Sequence, residues 1–143
     1  MNKKHSGYFE GIFQLRNVND EIIDSTMHEI EKKGDVSIAN IKKVKNGVDL
    51  YISSQRFLRS LGNKLQERFG GELISSRKLH TRNRLTSRDV YRVNVLLRIP
   101  NFKKGDIIDY RGDKIKIIGM KKKVLAKDIK TGKNLNLNFK DIA

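Results

Sequence analysis

The one proline of the chain, Pro100, closes the apolar run from Tyr91 to Ile99 and is followed by Asn101-Phe102-Lys103-Lys104-Gly105-Asp106. A proline donates nothing to a central strand ladder, so the strand that contains Ile99 must stop there. The patterning also changes across it, with long elements before and short ones after. The expected division is an α/β domain over residues 1–100 and a second domain over 101–143. With 37% hydrophobic and 33% charged residues, the 143-residue chain lies on the folded side of disorder and can build two small cores.

Before Pro100, Tyr8 to Leu15 alternates as a strand, with Phe9, Phe13 and Leu15 on one side and Glu10 and Gln14 on the other. Asn19 or Asp20 then caps a helix whose apolar stripe is Ile23, Met27 and Ile30, and Gly34 offers its stop. Asp20, Glu21, Asp24, Glu29 and Glu31 give that helix an acidic face, expected to be solvated. Val36 to Val44 and Val48 to Ile52 read as a hairpin around Asn46-Gly47, a pair suited to positive backbone angles. Ser53 or Ser54 caps a second helix with Leu58, Leu61, Leu65 and Phe69 inside, ended by Gly70-Gly71. Its outer face is basic: Arg56, Arg59 and Asn63 form a row, with Lys64 and Arg68 beside it. Two long strands, 72–81 and 89–99, complete a βαββαββ order. The expected fold is α+β, with both helices on one face of a mostly antiparallel sheet and the other face partly open to a partner.

After Pro100, short apolar segments at 107–110, 114–120, 123–126 and 135–139 are separated by Arg111-Gly112-Asp113 and Thr131-Gly132-Lys133. Several short strands within about 40 residues predict a small SH3-like β-barrel.

Charge restricts the partners. The chain carries 31 Lys and Arg against 16 Asp and Glu, a formal net charge of +15, divided as 19 basic against 11 acidic residues up to Pro100 and 12 against 5 beyond it. Such a balance draws a protein to polyanions. The densest cluster is Arg77, Lys78, His80, Arg82, Arg84, Arg88 and Arg92, around the turn Arg82-Asn83-Arg84-Leu85-Thr86-Ser87-Arg88. Five of these seven are arginine, whose planar five-donor fork suits phosphate, whereas lysine would serve solubility alone. Arg77, Lys78, Arg82, Arg84, Arg88 and Arg92 are therefore the first RNA-binding candidates. Arg56 and Arg59 on the second helix and the run Lys121, Lys122 and Lys123 are auxiliary ones. Plain strand-edge or surface solubility is the competing reading for each. Phe9, Phe13, Phe57 and Phe69 are expected in the core, so base stacking lacks support and recognition of backbone and shape fits better.

Other function classes lose ground. The chain has no cysteine, which removes thiol nucleophiles, disulfides and thiolate zinc sites, and three scattered histidines make a transition-metal site improbable. Neither a nucleophile with its base, nor paired carboxylates on one face, nor a glycine-rich phosphate loop is present. No catalytic residue, metal or cofactor is expected. No apolar run approaches membrane-spanning length, so a cytoplasmic protein without membrane contact is expected.

The run Gly7 to Arg16, followed by Ser76 to Arg82 and Arg88 to Val93, resembles the archaeal branch of the Nmd-three family, the large-ribosomal-subunit export adaptor. Phe102 to Ile108 and Asp128 to Lys133 look like that family's last module. The resemblance implies a non-catalytic factor that binds the large subunit in late assembly or translation, touching ribosomal RNA and proteins near the tRNA exit region. It also implies a ribosomal-protein-like α/β module followed by a barrel similar to the hypusine-containing elongation factor. The family begins with cysteine-paired zinc ribbons, so this chain is similar to its central and C-terminal domains. Two alternatives stand beside that expectation: a protein interaction module docking on another ribosomal factor, and a general nucleic-acid-binding protein.

Overall fold

A computed structural model of the chain describes residues 7–83 and 88–142, and of residues 80–83 and 88–90 only the backbone. The first unit runs β1 (Gly11–Arg16), α1 (Asp20–Lys33), β2 (Ile38–Val44), β3 (Gly47–Ile52), α2 (Gln55–Phe69), β4 (Glu72–Asn83) and β5 (Arg88–Arg98). This is the βαββαββ order. The five strands lie in the order β2-β3-β1-β5-β4, and every neighbouring pair is antiparallel except β1 with β5.

Local chemistry sets the helix ends. The Asn19 side chain accepts from the amide of Ile22 to start α1, and the Ser54 hydroxyl accepts from the amide of Phe57 to start α2. Gly34 at φ 83° and Gly70 at φ 74° end them. In the β2–β3 turn only Asn46 takes a positive φ, 66°. Gly47 is required for another reason: a Cβ there would run into the carbonyl oxygen of Leu15 on β1.

Alternation then decides which face is buried. Phe13 and Leu15 of β1, Val48, Leu50 and Ile52 of β3, and Val93, Val95 and Leu97 of β5 share one core with Ile30 of α1 and Leu58, Leu61 and Leu65 of α2. Both helices therefore cover the same face of the sheet. Gly62 sits where α2 crosses β5, its Cβ position 2.9 Å from Val95 and 3.2 Å from Leu73, which lets the helix lie close on the strands.

The second unit is β6 (Ile107–Tyr110), β7 (Asp113–Met120), β8 (Val124–Asp128) and β9 (Asn134–Leu137), then a 3-10 turn at Phe139–Asp141. The strands form an antiparallel sheet in sequence order. Its edge strands send Ile108, Tyr110, Leu135 and Leu137 onto the same buried cluster of Ile115, Ile117, Val124 and Ala126, so the sheet curls into a barrel-like shape. A register shift between Ile117 and Gly119 sharpens that curl. The two hydrophobic clusters share no residue.

Two expectations about single residues change. The β1 alternation begins only at Gly11, and Phe9 lies outside the core: its ring meets Tyr51 edge-on at 4.8 Å. Glu10 is drawn the other way, because its carboxylate accepts from the amide of Gln55 at the start of α2. On α1 the buried residues are Ile22, Thr26, Glu29 and Ile30, so one member of the acidic face is turned inward.

Candidate nucleic-acid interface

The β4–β5 hairpin outruns the helix layer. Leu58, near the start of α2, packs at the level of Gly11 and Val93, and Val93 pairs with Arg77. From there the two strands continue to the pair Asn83 and Arg88, beyond the level at which α2 begins among the described residues. Arg77 is exposed and stacks over the Tyr91 ring at 4.6 Å, which pre-orders its guanidinium. Lys78 is exposed on the opposite face of β4, across from Arg92. Arg92 itself is half-buried: its Nε donates to the Phe9 carbonyl at 3.2 Å and its guanidinium lies 3.8 Å over the Phe9 ring. Arg92 thus pins the segment that leads into β1 and is less available than Arg77 and Lys78. Arg84 lies outside the described residues, as do the side chains of His80, Arg82 and Arg88.

On α2 the basic row divides. Arg56 and Arg59 are exposed, and among the described residues neither has an ion-pair partner; Arg59 touches only the Gln55 side-chain oxygen, at 3.4 Å. Lys64 and Arg68 instead meet Glu29 of α1 at 2.9 and 3.7 Å, and Arg68 also donates to the Ser25 hydroxyl. The hydrogen bond from Lys64, opposed by burial and helped by the nearby charges of Lys64, Lys32 and Arg68, holds the Glu29 carboxyl below the usual glutamate range. The acidic helix and the basic helix are thereby stapled together.

The helix-free face of the sheet neutralises part of its own charge. Arg16 pairs with Asp49 at 2.7 Å, Arg98 pairs with Glu72 at 3.1 Å, and Lys42 lies 5.4 Å over the Tyr51 ring. Lys42 and, toward the hairpin tip, Lys78 are exposed cations of this face with no carboxylate partner among the described residues.

Two large clefts flank α2. The first, about 850 Å³, opens between α1 and the start of α2 and mixes Lys32, Lys33, Arg56 and Lys64 with Glu29 and Asp35. The second, about 830 Å³, opens between the end of α2 and the barrel-like unit. Its cations are Arg68, Lys103, Lys104, Lys121, Lys122 and Lys123, and no carboxylate lines it. Lys121, Lys122 and Lys123 form the exposed β7–β8 turn, closed by a hydrogen bond from the Lys121 amide to the Lys123 carbonyl. Lys103 and Lys104 stand in a turn after Pro100 in which the Asp106 carboxylate accepts from the Lys103 amide. Sequence reasoning passed over both of these lysines and the cleft role of Arg68, because they lie 35 positions apart and are joined by the approach of Gly70, at the end of α2, to Met120 of β7. Adjacent lysines in a turn were the one local signal.

Among the described residues no group of three or more His, Asp and Glu side chains could hold a metal ion, and no helix is long and apolar enough to cross a membrane. No individual curated protein matches the chain. Residues 8–99, well over half of it, match the model of one family, described as NMD3, second domain, a non-enzymatic adaptor family tied to ribosome-related function. The matched span runs from the segment pinned by Arg92 to the end of β5, which is the whole first sheet with both helices. This chain therefore belongs to the NMD3 family.

Proposed function

We propose that this chain is a non-catalytic factor of the large ribosomal subunit, acting in late assembly or translation and gripping ribosomal RNA through its basic surfaces. In this reading it divides near Pro100 into an α/β domain, residues 1–100, and an SH3-like barrel, residues 101–143, similar to the hypusine-containing elongation factor. It works in the cytoplasm, beside ribosomal proteins near the tRNA exit region. The observation that carries the reading is the segregation of its charges. Arg16 and Arg98 on the helix-free sheet face are paired with acids, whereas Arg56, Arg59, Arg77, Lys121 to Lys123 and, at the hairpin end of that same sheet face, Lys78 are exposed with no ion-pair partner among the described residues. Unpaired, partly pre-ordered cations release counterions when they meet phosphate, and paired ones do not. Backbone contacts of this kind position a protein, and the shape of the folded RNA supplies selectivity.

Co-sedimentation with purified large and small ribosomal subunits across a salt series tests this. The expected result is selective retention on the large subunit near physiological salt. Equal retention on both subunits, lost at modest salt, would reduce the protein to a polycation. The substitutions Arg77→Ala with Lys78→Ala should flatten the salt dependence by roughly one counterion per lost phosphate contact.

A further inference from the structure

We propose that the cleft between the end of α2 and the barrel-like unit is a binding site for an unpaired RNA segment, with its phosphates on the lysine rim and a base or ribose on the cleft floor. The proposal rests on the ribosomal-RNA reading above and adds to it a second contact, separate from the β4–β5 hairpin.

The rim comes from both sides. Arg68 stands on the α2 side, and Lys103, Lys104, Lys121, Lys122 and Lys123 on the other. All are exposed, and of the six only Arg68 has a carboxylate partner among the described residues. Like charges gathered around one cleft repel one another, and a polyanion entering it relieves that repulsion. The rim is also held in shape. The Gly105 amide donates to the Ile117 carbonyl at 2.7 Å and the Ile117 amide to the Asp106 carbonyl at 2.8 Å, which ties the Lys103-Lys104 turn to β7.

The floor distinguishes this site from a bare lysine patch. It is apolar: half-buried Phe69 and Met120, and Leu125, which points away from the barrel core and is 52% exposed. A regular duplex presents phosphates and grooves, and has no use for such a floor. An unpaired nucleotide has a base face and a ribose to cover it while its phosphates reach the rim.

Gly119 supplies the third observation. It lies in β7 at the register shift, lines the cleft, and has no positive φ. A Cβ built there meets nothing within 4 Å. Neither a positive φ nor internal packing asks for glycine at this position; a glycine within a strand marks a bulge or a place where another group approaches the backbone closely, and Gly119 stands at the register shift and lines the cleft. Gly70, by contrast, is required by the seat itself: a Cβ there would stand 2.8 Å from the Met120 carbonyl oxygen. One glycine brings the walls together and the other leaves the space between them clear.

An acidic protein segment would also meet cations and an apolar floor. RNA is the occupant the observations favour, because the rest of the molecule shows the same bias: unpaired cations on the hairpin and on α2, and an excess of basic residues on both sides of Pro100.

The test uses the full chain and a labelled twelve-nucleotide mixed-sequence RNA, single-stranded or annealed to its complement, in fluorescence-anisotropy titrations over a salt series. Gly119→Val keeps every charge and places its Cβ where nothing lies within 4 Å, and it should weaken single-strand binding about tenfold while leaving duplex binding unchanged. Lys103→Ala with Lys122→Ala should lower the single-strand salt slope by about 1.4, or about 0.7 for each lost phosphate contact. Circular dichroism and thermal melts verify that both variants fold. Unaltered single-strand binding by both variants, with hairpin variants still impaired, overturns the cleft and leaves the broader reading standing. Failure of the wild-type chain to bind either RNA overturns both. Tighter binding of a glutamate-rich peptide of equal charge than of the RNA assigns the cleft to a protein tail and overturns the proposal.

Discussion

The two clefts beside α2 are nearly equal in volume, about 850 and 830 Å³, and differ in what their walls do to one another. In the cleft between the helices two of the four cations are satisfied by the lining acids: Lys64 meets Glu29 at 2.9 Å, and Lys33 meets Asp35 at 3.4 Å. In the cleft against the barrel-like unit no lining carboxylate is available to do this. The lesson is that size is a poor guide to a binding site. A wall of mixed charge is content in water, whereas a wall of one sign stores repulsion that a counter-charged partner removes. Glu29 connects the two regions, because it lines the first cleft and pairs with Arg68, which lines the second.

The comparison is most easily broken by reversing charge. Lys103→Glu with Lys122→Glu should weaken single-stranded RNA binding by about a hundredfold at low salt, and Lys32→Glu with Lys33→Glu by no more than about threefold. Equal losses in anisotropy titrations would mean that the two clefts differ only on paper. Next in size is the seat of the second cleft. Gly70→Ala places a Cβ at positive φ against the Met120 backbone, and urea unfolding should show a loss of about 1–2 kcal/mol.

Removing the connecting carboxylate gives a smaller effect with two readouts. Glu29→Gln should cost about 1 kcal/mol at neutral pH, since it breaks a charge-assisted hydrogen bond whose Lys64 end is half-exposed. The sign of the pH dependence follows from the lowered pKa of this group. Its contribution is complete above the ordinary glutamate range and is lost as pH falls through the lower folded-state value, so wild type and variant should converge in acid. The same substitution frees Arg68, and RNA affinity at neutral pH should rise about twofold. The smallest effect belongs to the helix-free sheet face. Arg98→Ala should leave the RNA salt slope unchanged and shift stability by less than about 1 kcal/mol, because this exposed cation is already paired with Glu72. A changed slope would bring Arg98 into the interface.

Much of the fold was legible in the sequence because its rules are local. Asn19 and Ser54 at the helix starts, Gly34 and Gly70 at the ends, and the period-two runs of β1, β3 and β5 each follow from a few neighbouring residues. What escaped was decided between elements. Phe9 obeys the β1 alternation on paper, yet the strand starts at Gly11, and the ring turns to Tyr51 and Arg92. Glu29 reads as one more acid on a wet helix face until α2 brings Lys64 and Arg68 against it.

The candidate interface divides along the same line. The arginines of the β4–β5 hairpin and the lysine run of the β7–β8 turn are contiguous in sequence, so charge density alone exposes them. Which of them are free is a tertiary matter: Arg77 is braced on Tyr91 at the surface, while Arg92 is taken up by Phe9. Net charge and turn chemistry belong to the chain as written, since each residue carries its own charge and backbone preference. Whether a charge is spent on an internal acid or kept for a partner depends on what the fold places within a few ångströms. Only that placement separates the cleft of mixed charge between the helices from the cationic one beside the barrel-like unit.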